Sequence, residues 1–196
     1  MTNEQEELLP PYDGISLSRV RMVRSDKDAA EALAALSSMD VVGFDTESKP
    51  TFLKGEVSTG PHLVQLATDD MAYLFQIGAA PAVDVLRAVL ESAAILKVGF
   101  GLSDDIKRLR IKLGIDAANV LDLSTALRRG ERNTLGAKTA VARYFGQKLQ
   151  KSKKITTTNW ALPRLSEKQI LYAADDAHVA LRIYRRWRAD PTPPAN

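Results

Sequence analysis

The hydrophobic positions along the chain change their spacing near residue 119. Before that point, short apolar runs bounded by polar turns predict strands, and they alternate with stretches of helical periodicity. After it, apolar residues recur every three or four positions, which is typical of amphipathic helices. The order β-α-β-β-β-α-β-α, followed by helices, predicts an α/β domain with a mixed β-sheet flanked by α-helices and a helical C-terminal part.

The predicted elements follow from these runs and from their capping residues. Strands are expected at 15–23, 41–45, 62–68, 72–77 and 94–98, with Asp69-Asp70 turning a hairpin between the third and fourth. Helices are expected from an N-cap at Ser25 through Leu36, and at 82–92, 104–113, 122–129 and 134–145. A last helix is expected at 166–188, where Ser166 and Gln169 offer a capping box. Residues 1–14 are expected to form a flexible N-terminal lead, 15–189 a single domain, and 190–196 a Pro-rich tail.

Composition excludes several classes of site. The 196 residues include no Cys and only two His, His62 and His178. Disulfides, thiolate zinc sites, a cysteine nucleophile and a His-rich zinc site are therefore excluded. The acidic N-terminus lacks the apolar segment of a signal peptide, and no apolar run is long enough to span a membrane, so we expect a cytoplasmic protein.

The charge of the chain is unevenly distributed. The net charge is +3, but residues 128–154 hold nine basic residues and one acid, a local charge of +8 that leaves −5 on the rest. Such asymmetry suggests a basic face for a polyanion, and a solvated loop and helix surface is the alternative.

Three short blocks place carboxylates beside apolar elements. Asp45 and Glu47 end the strand VVGFD at positions i and i+2, so their side chains leave the same face if the strand continues. Asp104 and Asp105 follow a strand and a glycine-containing turn, and either acid could instead stabilise a helix N-terminus. Clustered carboxylates at the edge of a core repel each other unless a cation holds them together, and oxygen ligands favour Mg²⁺ or Mn²⁺.

The third block lies on the predicted last helix. Tyr172 and Asp176 are at positions i and i+4, so they share one face of that helix. The surrounding positions are apolar, so an acid there should be paired or solvent-facing, and Asp175 lies about 100° away, where it can take the solvated role. A half-buried tyrosine with a satisfied hydroxyl is the alternative for Tyr172.

Taken in this order, the three blocks resemble the motifs of the DEDD 3′–5′ exonucleases. The match is to the tyrosine-bearing (DEDDy) branch, which includes ribonuclease D and the Werner syndrome helicase exonuclease domain, and it is strongest to the Werner type. The segments HLVQLATDDMAYLF and LQKSKKITTTNWALPRLSEKQILYAADDA also match, and the resemblance covers roughly residues 15–188. Leu171 stands where the histidine-bearing branch has its His. The resemblance implies a ribonuclease H-like fold.

The resemblance also implies a mechanism with two divalent cations, Mg²⁺ or Mn²⁺. Asp45 would bridge both cations, Glu47 and Asp176 would hold the first, and Asp105 would hold the second largely through water. Asp104 is the second choice for that acid. Tyr172 would orient the attacking water, and 5′-mononucleotides would leave a 3′ end.

The basic stretch then has a function in binding the nucleic-acid backbone. The expected contacts are Arg128, Arg129, Lys148, Lys151, Lys153, Lys154 and Trp160. Trp160 either stacks on a base or anchors the core. The chain shows neither a helicase segment nor an added C-terminal helical domain, so we expect a stand-alone nuclease domain that draws substrate choice from oligomerisation or a partner.

Three functional hypotheses follow. The first is an active 3′–5′ exonuclease on single-stranded or 3′-recessed DNA, with ribonuclease D-like processing of RNA 3′ ends as its alternative. The second is an inactive relative that binds nucleic acid. The third is an unrelated acidic α/β domain, which would need three chance matches in the right order.

Overall fold

The computed structural model describes residues 8–53, 55–78, 82–128 and 133–190, except for the side chain of residue 153. Six strands are Val20–Met22 (β1), Val41–Glu47 (β2), Leu63–Ala67 (β3), Ala72–Gln76 (β4), Leu96–Gly99 (β5) and Val120–Asp122 (β6). The α-helices are Asp26–Ser37 (α1), Ala82–Leu90 (α2), Ser103–Leu113 (α3), Leu123–Ala126 (α4), Ala137–Phe145 (α5), Lys153–Thr156 (α6) and Glu167–Ala189 (α7). None of the helices within these ranges is long and apolar enough to cross a membrane.

The strands form one mixed sheet in the order β1-β4-β3-β2-β5-β6. Strand β3 runs antiparallel to both of its neighbours, whereas the β1–β4, β2–β5 and β5–β6 pairs are parallel. Strand β2 is therefore central, and its carboxyl end lies at the same edge of the sheet as that of β5. In open α/β sheets this edge is where ligands bind.

Helices cover both faces of the sheet, and the alternation of side chains along β2 assigns each residue to one face. Val42 and Phe44 pack with α1, α2 and α3 in one apolar cluster. Val41 packs with α5 and α7 on the opposite face, and apolar residues of β3 and β4 also pack against α7. This arrangement confirms the predicted ribonuclease H-like fold class.

The long helix α7 lies very close to β2. A Cβ atom added to Gly43 would come within 2.0 Å of the backbone carbonyl oxygen of Ala177. Only glycine permits this separation of the helix from the strand, because any side chain at position 43 would collide with backbone that cannot rotate away. The contact holds the middle of α7 against the strand that ends in Asp45 and Glu47.

Three segments differ from the predicted elements, one of which is the unpredicted helix α6. The strand expected at 15–23 is a 3₁₀ turn at Leu17–Arg19 followed by the short β1. The unpredicted strand β6 pairs with β5 and ends at Asp122, where the helix expected at 122–129 was to begin. The helix that follows it is the four-residue α4. A three-residue strand at the end of a sheet has too few positions to show a period of two, so its sequence carries little signal. Tyr12, within the predicted lead, is buried against Phe145.

We expect Gly43→Ala to destabilise the protein by at least about 3 kcal/mol, because it overpacks a contact between two backbones. Chemical denaturation measures the loss. Gly136→Ala is the comparison, since a Cβ there would meet nothing within 4 Å and the backbone φ is −80°. Because Gly136 is the N-cap of α5, this change should itself cost about 1 kcal/mol or less. Equal stability of the Gly43→Ala variant and the wild type would contradict the close approach of α7 to β2.

Candidate active site

The first part of the site is the carboxyl end of β2. Asp45 and Glu47 alternate with Thr46 in the β2–β3 ladder, so both carboxylates lie on the face of the sheet that α7 covers. Asp45 is partly buried, and only 8% of the surface of Glu47 is exposed. Strand β2 continues through Glu47. This was the condition under which the two acids were predicted to lie on the same face.

Asp105 reaches this edge from the first turn of α3. Its Oδ1 accepts a short hydrogen bond from the hydroxyl of Thr46 on β2. Asp104, one residue earlier, is exposed, so the helix turns Asp105 and not Asp104 towards the site. Asp105, and not Asp104, is thus the acid of this pair that contacts β2.

Asp122 holds the turn that leads into α3. Its two carboxylate oxygens accept hydrogen bonds from the backbone N–H groups of Gly101 and Leu102, at 2.9 Å and 3.0 Å. The same side chain caps α4 through Ser124, at 2.9 Å. This positioning residue was missed by the sequence analysis, because Asp122 was assigned to a helix, and only the pairing of β6 with β5 brings it to the turn.

Helix α7 carries the third part of the site. It begins at the predicted capping box, in which Ser166 and Gln169 exchange hydrogen bonds. Asp176 is buried, and Tyr172 lies one turn earlier on the same side. Asp175, expected to be solvated, is partly buried and accepts a hydrogen bond of 2.7 Å from the backbone N–H of Ile15.

Burial and mutual repulsion make the carboxylates difficult to ionise. Burial, followed by the carboxylates of Asp176 and Asp105, raises the pKa of Asp45 well above its ordinary value. Burial, followed by the carboxylates of Asp45 and Asp176, raises the pKa of Glu47 to about 9. Burial also raises the pKa of Asp105, against the opposing hydrogen bond from Thr46. These mutual effects show that the residues of all three blocks lie within electrostatic reach of one another.

One cation inside the protein partly balances this cluster. The ammonium of Lys151 lies 2.7 Å from Oδ1 of Asp176. Burial lowers the pKa of Lys151, but the carboxylates of Asp176 and Asp45 outweigh burial, so the net pKa is raised. Burial raises the pKa of Asp176 as well, and Lys151 opposes that effect. We interpret the contact as an ion pair, since an ammonium this close to a carboxyl is stabilised by the ionised form.

Tyr172 is held by the segment that precedes α7. Its hydroxyl lies 2.9 Å from the hydroxyl of Thr156 on α6, and its ring lies 6.1 Å from the ring of Trp160. Burial, followed by the charge of Asp176, raises the pKa of Tyr172 to about 12, so the phenol is neutral near pH 7. A neutral hydroxyl can both donate and accept a hydrogen bond, as the orientation of a water molecule requires.

The predicted nucleic-acid contacts lie in different environments. Trp160 is fully buried in the cluster beneath α7 and donates a hydrogen bond to the carbonyl of Thr156, so the prediction that it stacks on a base is wrong and its anchoring role is correct. Lys151 pairs with Asp176, Lys154 is exposed, and Arg128 and Lys148 are partly buried. Arg129 and the side chain of Lys153 lie outside the described residues.

The carboxylates fit a divalent cation chemically, because their ligand atoms are all oxygens and their repulsion is relieved by positive charge. Among the described residues, however, no three acidic or histidine side chains are arranged to hold one ion. Oxygens of three acids already have partners: Lys151 for Asp176, the Thr46 hydroxyl for Asp105 and the Thr46 N–H for Asp45. His178 contacts the carbonyl of Asp69 at the opposite edge of the sheet, away from this cluster.

We expect the metal-free protein to lose stability as the pH rises. Glu47 has an ordinary pKa of 4.5 when unfolded and about 9 when folded, so its contribution is complete below pH 4.5 and is lost progressively up to pH 9. Denaturation in EDTA between pH 5 and 9 measures this slope, which Glu47→Gln should reduce. Glu31→Gln, on the exposed side of α1, should leave the slope unchanged. A slope that Glu47→Gln does not alter would contradict the burial of this acid.

Comparisons with known proteins indicate the family of the chain. Residues 20–189 match a family described as 3′–5′ exonuclease. The chain is 30% identical over 154 residues to the mouse bifunctional 3′–5′ exonuclease/ATP-dependent helicase WRN, a match that covers 77% of this chain and 11% of the mouse protein. It is 28% identical over 172 residues to a 3′–5′ exonuclease of Arabidopsis thaliana, covering 82% of this chain and 59% of the relative. The chain thus spans less than two thirds of either relative.

A solved structure gives the same result for the fold. The crystal structure of the Nibbler EXO domain of Aedes aegypti superposes with a TM-score of 0.76 and 26% identity, over 93% of this chain and 96% of the other. Because the superposition covers nearly all of both chains, the two structures share the sheet together with the helices on both of its faces. Together with the family match over most of the chain, this shows that the protein belongs to the 3′–5′ exonuclease family.

Proposed function

We propose that the protein removes nucleotides from the 3′ end of a nucleic acid by metal-dependent hydrolysis, releasing 5′-mononucleotides. The observation that carries this proposal is the placement of four acids and one tyrosine from three separate elements at one edge of the sheet. They are Asp45, Glu47, Asp105, Tyr172 and Asp176. Their electrostatic coupling supports a shared ligand of positive charge.

The residues have distinct tasks in this proposal. The carboxylates of Asp176 and Asp105 both act on Asp45, so Asp45 would help to hold both of two Mg²⁺ or Mn²⁺ ions. Glu47 and Asp176 would help to hold the first ion and Asp105 the second. Bound divalent ions lower the pKa of water and neutralise charge on a phosphodiester. Exonucleases of the DEDD type use such metals. The neutral hydroxyl of Tyr172, held by Thr156, would orient the attacking water.

The substrate we propose is DNA with a single-stranded or recessed 3′ end. Support comes from the similarity to the mouse WRN protein, which extends over 77% of this chain. Ribonuclease D-like processing of RNA 3′ ends is the second candidate. The same motifs support it, because the acids would act on the phosphodiester through the cations and none of them would read the 2′-hydroxyl. The inactive nucleic-acid-binding relative is the third, although none of the five motif residues is lost.

We expect a ladder of 3′-shortened products from 5′-labelled single-stranded DNA in Mn²⁺ or Mg²⁺, and no products in EDTA. The same assay on recessed duplex DNA and on RNA of equal sequence ranks the substrates. Asp45→Asn is the control for a contaminating nuclease, because it removes the charge that both metals would share. Faster cleavage of RNA would overturn the DNA assignment, and tight binding without cleavage in either metal would leave only the inactive relative.

The two neighbouring acids of α3 provide a matched pair of variants. We expect Asp105→Asn to reduce kcat by at least about a hundredfold, because it removes a charged ligand of the site. Asp104→Asn should retain wild-type kcat, because Asp104 is exposed and outside the cluster. Single-turnover kinetics measures both, with far-ultraviolet circular dichroism to verify the fold. The opposite result would place Asp104 in the second motif.

A further inference from the structure

Lys151 contacts Asp176, which is the metal ligand that α7 would supply in the proposed function. Its ammonium lies 2.7 Å from Oδ1 of Asp176 and 5.8 Å from the centre of the Tyr172 ring. The side chain of Asp176 is 6% exposed and that of Lys151 is 29% exposed, so the ion pair lies at the boundary between the interior and solvent. The proposed function requires a cation at Asp176, and the ammonium of Lys151 supplies positive charge at that position.

The backbone on both sides of Lys151 is anchored. Leu149, two residues earlier, is buried in the cluster of α5 and α7, and its carbonyl accepts a hydrogen bond of 3.1 Å from the N–H of Lys151. Further along, Trp160 is fully buried beneath α7. The ammonium is therefore delivered to Asp176 by a fixed stretch of chain, whereas its flexible four-carbon stem permits it to leave towards solvent.

A divalent ion and this ammonium cannot both contact Asp176 without strong repulsion. Mg²⁺ binds a carboxylate oxygen at about 2.1 Å, which would leave the ion within about 5 Å of an ammonium on the same oxygen. Repulsion over that distance is large at a site so little exposed to water. Metal binding to the oxygen that Lys151 contacts therefore requires the ammonium to move away.

We propose that Lys151 is the cation that neutralises Asp176 in the metal-free enzyme and that a divalent ion must displace it to bind. The inference rests on the proposed function, because it takes Asp176 as a metal ligand. Lys151 is then a positioning residue that competes with the metal, and its displaced ammonium becomes available to a phosphate of the nucleic acid.

This competition couples the binding of metal to the binding of nucleic acid. A phosphate that offers Lys151 another partner removes the competitor from Asp176 and so strengthens metal binding. By linkage, the metal strengthens nucleic-acid binding by the same factor. Thr156 and Trp160 remain to hold Tyr172 in place while Lys151 moves, because neither depends on the ion pair.

The test compares Mn²⁺ affinity in Lys151→Met and the wild type by isothermal titration calorimetry without nucleic acid. Removal of the competitor should tighten Mn²⁺ binding on the order of tenfold, within the usual range of coupling between two sites. Lys168→Met is the control, because it removes the same charge from an exposed position on α7 and should leave the affinity unchanged. Lys151→Arg retains the charge and should stay near the wild type. Unchanged or weaker Mn²⁺ binding by Lys151→Met would overturn the proposal.

A second measurement uses the wild-type protein, in case Lys151→Met does not fold. Mn²⁺ should increase the rate at which Lys151 is reductively methylated, as measured by mass spectrometry, because the displaced ammonium is freed from its carboxylate. An unchanged or slower rate would refute displacement. A single-stranded oligonucleotide with a phosphorothioate-protected 3′ end should tighten Mn²⁺ binding several-fold in the wild type and less than twofold in Lys151→Met. Equal tightening would refute the coupling.

These results separate the inference from the proposed function. The Mn²⁺ titration involves no cleavage, so a Lys151 effect in a protein that degrades neither DNA nor RNA would support displacement and exclude the exonuclease. An active exonuclease with no Lys151 effect would retain the proposed function and exclude displacement.

Discussion

The close approach of α7 to β2 is the contact on which the site depends. Gly43 and the carbonyl of Ala177 meet where no side chain fits, and Asp176 is the residue next to Ala177 on the helix. Asp45 is two residues beyond Gly43 on the same face of the strand. The packing that closes the core therefore also sets the distance between the acids of β2 and those of α7. A helix displaced by a larger residue at position 43 would carry Asp176 and Tyr172 away with it.

This packing brings together charges that the interior does not favour. All four acids have pKa values raised first by burial, and neighbouring carboxylates raise the pKa values of Asp45 and Glu47 further. Such a cluster reduces the stability of the metal-free protein and is retained where a ligand of opposite charge gives it a function. The ion pair of Lys151 with Asp176 relieves part of the repulsion.

Hydrogen bonds from polar residues near the site fix the elements relative to one another. Thr46 joins β2 to α3 through Asp105, Asp122 joins the end of β6 to the turn before α3, and Thr156 joins α6 to Tyr172 on α7. Each contact connects two separate elements that meet at the site. Rigid placement of this kind determines how well a site can hold metal ions and orient a water molecule.

The sequence by itself determined the fold class, the central strand, the hairpin, the long last helix with its capping box, and the motif residues on them. These features are local: a period of two or 3.6, a cap three residues from its partner, or acids at i and i+2. Only the tertiary structure brings Asp105 to Thr46 and Lys151 to Asp176. It also buries Trp160 and places Asp175 on the Ile15 N–H. Each of those outcomes depends on which distant residue occupies the facing position, and no periodicity along the chain encodes such a contact. The short strand β6 escaped prediction for the same reason, since its pairing with β5, rather than its own three residues, makes it a strand.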